Sequence, residues 1–124
     1  MKAVVIAVAV LCLCSCGSAP PRPETIRTGE DACAQCRMTI LSLQTAAQII
    51  APGAEPVFFD DLRCLTDYRA RTKLTPDAVV FVADHVTGEW IDERDAVITR
   101  AHEQTPMGSG LIASRRTSRK DMRQ

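Results

Sequence analysis

The stretch "VFFDDLRCLTDYRARTK", residues 57–73, decides the fold because it joins a strand to the most regularly patterned helix of the chain. Its first three residues are large and apolar, which favours a buried strand. Asp60 or Asp61 can cap the helix that follows, since a carboxylate accepts hydrogen bonds from the unpaired amides of a first turn. Apolar residues then recur at helical spacing, at Leu62, Leu65 and Tyr68. The stretch therefore predicts a strand that leads directly into a helix.

The segments on either side of this unit are rich in β-forming residues. Residues 38–51, "MTILSLQTAAQIIA", predict two short strands or one long bent strand, and the turn "PGAEP" allows residues 46–59 to form a hairpin. After the helix, "AVVFVADH" at 78–85 predicts a core strand. Shorter strands are expected around Trp90 and at residues 111–113. This mixture predicts a small α+β domain.

A faint internal repeat connects the two halves of that domain. "FDDLRCL" (59–65) and "IDERDAV" (91–97) both place an apolar residue before two acids, with apolar residues at the sixth and seventh positions. "DERDAV" predicts at most a short helix, and "VITRAH" either continues it or forms another strand. The pattern suggests two ββαβ-like units, although capping acids at any strand-to-helix junction also explain it.

The N-terminus predicts export. The apolar run at residues 3–13 is much shorter than the roughly 20 residues that a membrane-spanning helix needs, and it is typical of a signal peptide. "LCSCG" approximates a bacterial lipobox, which predicts lipidation of Cys16; ordinary cleavage to a soluble periplasmic protein is the alternative. The chain then divides into four segments: a lipoprotein signal peptide (1–15), a proline-rich lipid-anchored linker (16–30), a folded domain (31–113) and a basic disordered tail (114–124).

Charge and motifs exclude several classes of function. The 15 basic and 15 acidic residues balance, so no electrostatic argument favours nucleic acid as a partner. No recognisable hydrolytic triad or phosphate-binding glycine loop is present, which favours a binding protein over an enzyme. If Cys16 carries lipid, three cysteines remain in an oxidising compartment, and at least one of them must stay free, be buried or bind a ligand.

The motif "DACAQCRM", residues 31–38, brings soft donors together. Thiolate and thioether ligands select Cu(I) over harder ions. In an extended segment residues two apart point to the same side, so Cys36 and Met38 are expected to face one ion, while Cys33 can join only if the chain turns. "TPMGSG" presents Met107 on a loop kept free of bulk by Gly108 and Gly110, either as a further thioether ligand or as an apolar cover.

Other interpretations of the cysteines remain open. Cys33 and Cys36 are spaced as in a thiol-disulfide oxidoreductase, but they lead into β-prone residues rather than the helix that would activate a thiol. Zinc would need a second ligand pair, a disulfide would close a loop too small to contribute much, and the sulfurs could simply pack. His85 or His102 can complete a three-coordinate copper site, and Cys64 is most simply a small buried hydrophobe.

The motifs together resemble a known family. A lipobox followed by "DACAQCRM", "AAQII", "FFDDLRCL", "TGEWID" and "TPMGSGLIA" resembles the NosL family of nitrous oxide reductase accessory lipoproteins over most of residues 31–113. The resemblance implies repeated ββαβ units and an outer-membrane-anchored, periplasmic Cu(I) chaperone. It implies delivery of copper to the apo-reductase or to its copper-assembly transporter.

The same resemblance implies a ligand set of Cys36, Met38 and Met107. Two positions depart from the family pattern. Arg37 stands where the family usually has glycine, although arginine avoids the positive φ that glycine permits. "LRCL" replaces a more usual glycine-cysteine-methionine, so no ligand role is carried over to Cys64.

Overall fold

The computed structural model describes residue 17 and residues 19–117, and these form a small mixed domain. The predicted α+β class is confirmed. Its elements are β1 (Ala47–Ile50), β2 (Val57–Phe59), α1 (Leu62–Arg71), β3 (Val79–Ala83), β4 (Trp90–Asp92), a 3₁₀ turn (Glu93–Asp95), β5 (Ala96–Arg100) and β6 (Leu111–Arg115). The predicted signal peptide, Cys16 and the last seven residues of the predicted tail lie outside the described residues.

The first ββαβ unit has the predicted order. β1 lies between β2 and β3 in an antiparallel sheet of order β2-β1-β3-β4, and Ala47 pairs with Phe59 on one side and with Val82 on the other. The hairpin predicted at 46–59 is confirmed by the β1–β2 pairing. Helix α1 therefore carries the chain from the edge strand β2 across to β3.

Helix α1 begins after the predicted capping residue Asp61 and ends at Arg71, with Thr72 as its C-cap. The carboxylate of Asp61 accepts a hydrogen bond from the Arg63 amide, and the Thr72 amide bonds back to the Tyr68 carbonyl. The inward face buries Leu62, Cys64 and Leu65, and the Tyr68 ring meets the Phe59 ring edge-on at 5.2 Å between centroids. Within the described part of the chain, no helix is long and apolar enough to cross a membrane.

The second half of the domain replaces the helix by a single 3₁₀ turn. Asp92 caps this turn by accepting a hydrogen bond from the Arg94 amide. The stretch "DERDAV" therefore forms no more than the short helix that the sequence predicts. The following residues form β5, because Val97, Ile98 and Thr99 are β-branched and suit a strand better than a helix. Among the described residues β5 pairs with β6 alone, in a separate two-stranded sheet.

Three boundaries differ from the sequence prediction. Within 38–51 only β1 is a strand, because a turn in which the Ala46 amide bonds to the Leu43 carbonyl interrupts the segment. Part of the predicted linker packs on the domain: Ile26 is buried, and the Glu24 amide donates to the Gln48 side chain. At the other end β6 continues two residues past 113, to Arg115.

Candidate metal centre

A tight loop brings Cys33 and Cys36 to the edge of the main sheet. The Arg37 amide donates to the Cys33 carbonyl at 2.9 Å, and the Cys33 amide donates to the Met38 carbonyl at 2.8 Å. The Ala34 amide donates to the carbonyl of Phe58, on the edge strand β2, at 2.8 Å. The loop is thus docked beside the end of β2, where the two aspartates follow.

Four donor groups converge at this place. The Sγ atoms of Cys33, Cys36 and Cys64 and a carboxylate oxygen of Asp60 all lie within 4.8 Å of one another, and we call these residues the four-donor cluster. Cys33, Cys64 and Asp60 are between 0 and 2% exposed, whereas Cys36 is only partly buried. All three cysteines are free thiols. Only Cys36 is therefore open to approach from solvent.

The two adjacent aspartates have different tasks. Asp61 is the N-cap residue of α1, and its carboxylate has different partners from that of Asp60. Asp61 caps α1, and Asp60 turns toward the thiols, with its oxygens 3.4 and 3.5 Å from the Cys36 sulfur that donates to them. The Thr45 hydroxyl donates to the Asp60 carbonyl at 2.8 Å and fixes this backbone.

The surroundings of Cys36 and Cys64 favour the neutral thiols of these two residues before a metal binds. Burial raises the pKa of Cys36, and contacts with Cys33 and Asp60 raise it further against the lowering effect of the Met38 amide. Burial also raises the pKa of Cys64 strongly, with Cys33 and Asp60 adding to it. Metal binding must therefore displace thiol protons. A cysteine used for thiol-disulfide chemistry needs the opposite shift.

Asp61 ties a second loop to this region. Its Oδ2 accepts the Met107 amide at 2.9 Å, and its Oδ1 accepts the Ser109 hydroxyl at 2.7 Å. Burial acts to raise the pKa of Asp61, but hydrogen bonds from Ser109, Arg63 and Met107 together hold it below its usual value. The backbone of Met107 is consequently held by Asp61, the residue that follows Asp60.

Of the sequence-predicted ligands, Cys36 belongs to the four-donor cluster, whereas Met38 and Met107 are exposed. Met38, on the loop that carries Cys33 and Cys36, is 47% exposed, and Met107, on the loop bonded to Asp61, is 46% exposed. Their ligand roles stay predictions. Arg37 has a φ of +68°, so the extended backbone assumed for Cys36 and Met38 is wrong, and alternation no longer argues that they face one ion. Arginine thus adopts here a positive φ of the kind that glycine permits.

His85 does not join the cluster. Its Nδ1 lies 3.4 Å from the Gln44 carbonyl oxygen, and its Nε2 lies 3.9 Å from a carboxylate oxygen of Glu103. His102 is exposed. Neither imidazole belongs to the donors that meet around Cys36 within the described residues.

Cys64 and Asp60 are the donors that the sequence did not indicate. The interpretation of Cys64 as a buried hydrophobe describes its burial correctly and overlooks its neighbours. The odd number of thiols was the available signal, because it required one cysteine without a disulfide partner. Asp60 was considered only as a cap, and that role belongs to Asp61.

The fold and the cluster together define a small α+β protein with a candidate site for a thiophilic metal ion. Comparison with protein families matches residues 24–116 to NosL. The chain therefore belongs to the NosL family. No curated protein and no solved structure matches it.

Proposed function

We propose that this protein binds Cu(I) and delivers it for the maturation of nitrous oxide reductase, without catalysing a reaction itself. The observation that carries the proposal is the four-donor cluster, in which three thiols and one carboxylate lie within 4.8 Å of one another in a member of the NosL family. Soft sulfur donors favour Cu(I) over hard cations.

The burial of the donors supports a division between holding and releasing the ion. Cys33 and Cys64 are inaccessible to a partner, so they are suited to retain copper. Cys36 is the partly exposed member, and an incoming donor would attack the ion there. The exposed thioethers of Met38 and Met107 are suited to assist, because weak ligands can be exchanged one at a time.

The cellular setting belongs to the same proposal. A lipid on Cys16 would anchor the protein to the outer membrane, and the proline-rich segment would hold the domain in the periplasm. The proposed acceptor is apo nitrous oxide reductase or the transporter that assembles its copper centres. The balanced charge of the chain gives no support for a nucleic-acid partner.

The alternative of a thiol-disulfide oxidoreductase receives less support. Such an enzyme activates its first cysteine at a helix N-terminus, and Cys33 and Cys36 lie instead on a turn followed by the Thr39 bridge. Burial also raises the pKa of the accessible Cys36 thiol, which disfavours the thiolate.

An anaerobic Cu(I) titration against a chromophoric chelator tests the proposal. The reduced protein should hold one ion, and Cys36→Ser and Cys64→Ser should each weaken binding at least tenfold, or about 1.4 kcal/mol. Leu65→Val is the matched control, because it perturbs the same helix without removing a donor and should leave affinity unchanged. Failure of the wild-type protein to compete with the chelator would contradict the proposal.

A further inference from the structure

The loop that carries Met107 has an unusual distribution of burial. Its polar residues Thr105 and Ser109 are 9% and 6% exposed, whereas the apolar Met107 between them is 46% exposed. Burial of apolar side chains and exposure of polar ones is the usual preference. A specific set of contacts must therefore hold the polar residues inside.

Asp61 is the centre of those contacts. Its fully buried carboxylate accepts the Ser109 hydroxyl and the Met107 amide from the loop, and also the Arg63 amide from α1. Thr105 adds a hydroxyl contact to Ser109 at 3.1 Å and accepts the Gly110 amide at 3.2 Å. One carboxylate thus connects the loop to the helix that carries Cys64.

The connection leads directly to the four-donor cluster. Asp61 follows Asp60, whose carboxylate accepts a hydrogen bond from the Cys36 thiol. The Met107 amide is therefore hydrogen-bonded to the Asp61 side chain, and Asp61 is joined by a peptide bond to the cluster donor Asp60. A shift of the Asp61 side chain would move Met107 relative to Cys36 without changing any donor atom.

We propose that Asp61 is a positioning residue that holds the exposed Met107 thioether beside the four-donor cluster for copper capture and exchange. This inference rests on the proposed function. Asp61 touches no metal in this role and acts only through the loop. Its effect on copper affinity should accordingly depend on whether Met107 is present.

A double-mutant cycle measures that dependence in anaerobic Cu(I) competition. Asp61→Asn supplies an amide hydrogen where the Met107 amide needs an acceptor, so it should weaken binding about tenfold. In the Met107→Leu background the same change should cost less than about twofold. An equal loss in both backgrounds would overturn the inference, because Asp61 would then act through Asp60 or α1.

Hydrogen exchange in the metal-free protein tests the positioning separately from copper. The Met107 amide should be protected in the wild-type protein and exchange about tenfold faster in Asp61→Asn. Ser109→Ala is the milder variant, which removes one bond to Asp61 and should accelerate the same amide. An unprotected Met107 amide in the wild-type protein would overturn the inference, whereas protection without Cu(I) binding would overturn only the proposed function.

Asp84→Asn is the matched control. Asp84 also accepts several backbone amides, from Val86, Thr87 and Arg115, but it lies outside the cluster. Its substitution should lower stability while leaving both copper affinity and Met107 exchange unchanged. A comparable change in either quantity would show that general loosening of the fold explains the Asp61 effect and would overturn the inference.

Discussion

Arg37 shows how a single residue of this site stores backbone strain. Among the described residues other than glycine, it alone has a positive φ, at +68°. The left-handed region costs a residue with a side chain roughly 1–2 kcal/mol. Two hydrogen bonds hold the loop in this conformation: the Arg37 amide donates to the Cys33 carbonyl, and the Cys33 amide donates to the Met38 carbonyl. Strain of this kind is common where a ligand is bound.

Replacing Arg37 with glycine should therefore stabilise the protein. Glycine removes the left-handed strain, but its greater backbone freedom in the unfolded chain costs about 0.5–1 kcal/mol on folding. The net gain in the free energy of unfolding is therefore about 0.5–1 kcal/mol. The midpoint of urea unfolding measures it. Arg37→Ala is the control, because alanine loses the guanidinium and keeps the strain. A glycine variant no more stable than the alanine variant would contradict the argument.

The connection between β5 and β6 shows that two neighbouring glycines of one element are not equivalent. Gly110 has a φ of +66°, and a Cβ placed on it would lie 2.6 Å from the Ala101 carbonyl oxygen. Gly108 has a similar φ of +63°, but a Cβ there would meet nothing within 4 Å. The Ala101 amide bonds to the Gly110 carbonyl at 2.8 Å, so the two backbones cannot easily separate.

Alanine substitutions should separate these two costs. Gly108→Ala should cost about 1 kcal/mol, because it introduces the left-handed strain alone. Gly110→Ala should cost about 2–4 kcal/mol, because the overlap with the Ala101 carbonyl adds to the same strain. Free energies of unfolding from urea titrations of both variants provide the comparison. Equal losses would mean that the strand connection shifts freely.

The elements were more predictable than the site they build. The helical spacing of Leu62, Leu65 and Tyr68 is a local property, and it predicts α1 without knowledge of the rest of the chain. The contact between Cys36 and Asp60 joins residues 24 positions apart, and it depends on the loop docking against the edge strand β2. No local periodicity contains that information. The turn before β1 was also hidden, because its apolar residues resemble a strand.

At the scale of the whole molecule, the four-donor cluster joins two segments of the chain, residues 33–36 and 60–64, that meet only after folding. Cys33 and Cys36 come from the N-terminal loop, Asp60 follows β2 and Cys64 lies in α1. In the unfolded chain the first two cysteines remain close in sequence and can still share a copper ion. Asp60 and Cys64 become available to the same ion only in the folded domain.

Copper should accordingly raise the melting temperature through the donors that folding adds. If the folded protein binds Cu(I) 100-fold more tightly than the unfolded chain, the gain is about 2.7 kcal/mol, which corresponds to roughly 10–20 °C for a domain of this size. Anaerobic thermal unfolding with and without one equivalent of Cu(I) measures the shift. In Cys64→Ser most of the shift should disappear, because folding then adds only the carboxylate of Asp60. An unchanged shift in that variant would mean that the N-terminal loop and the exposed methionines hold the ion without the helix.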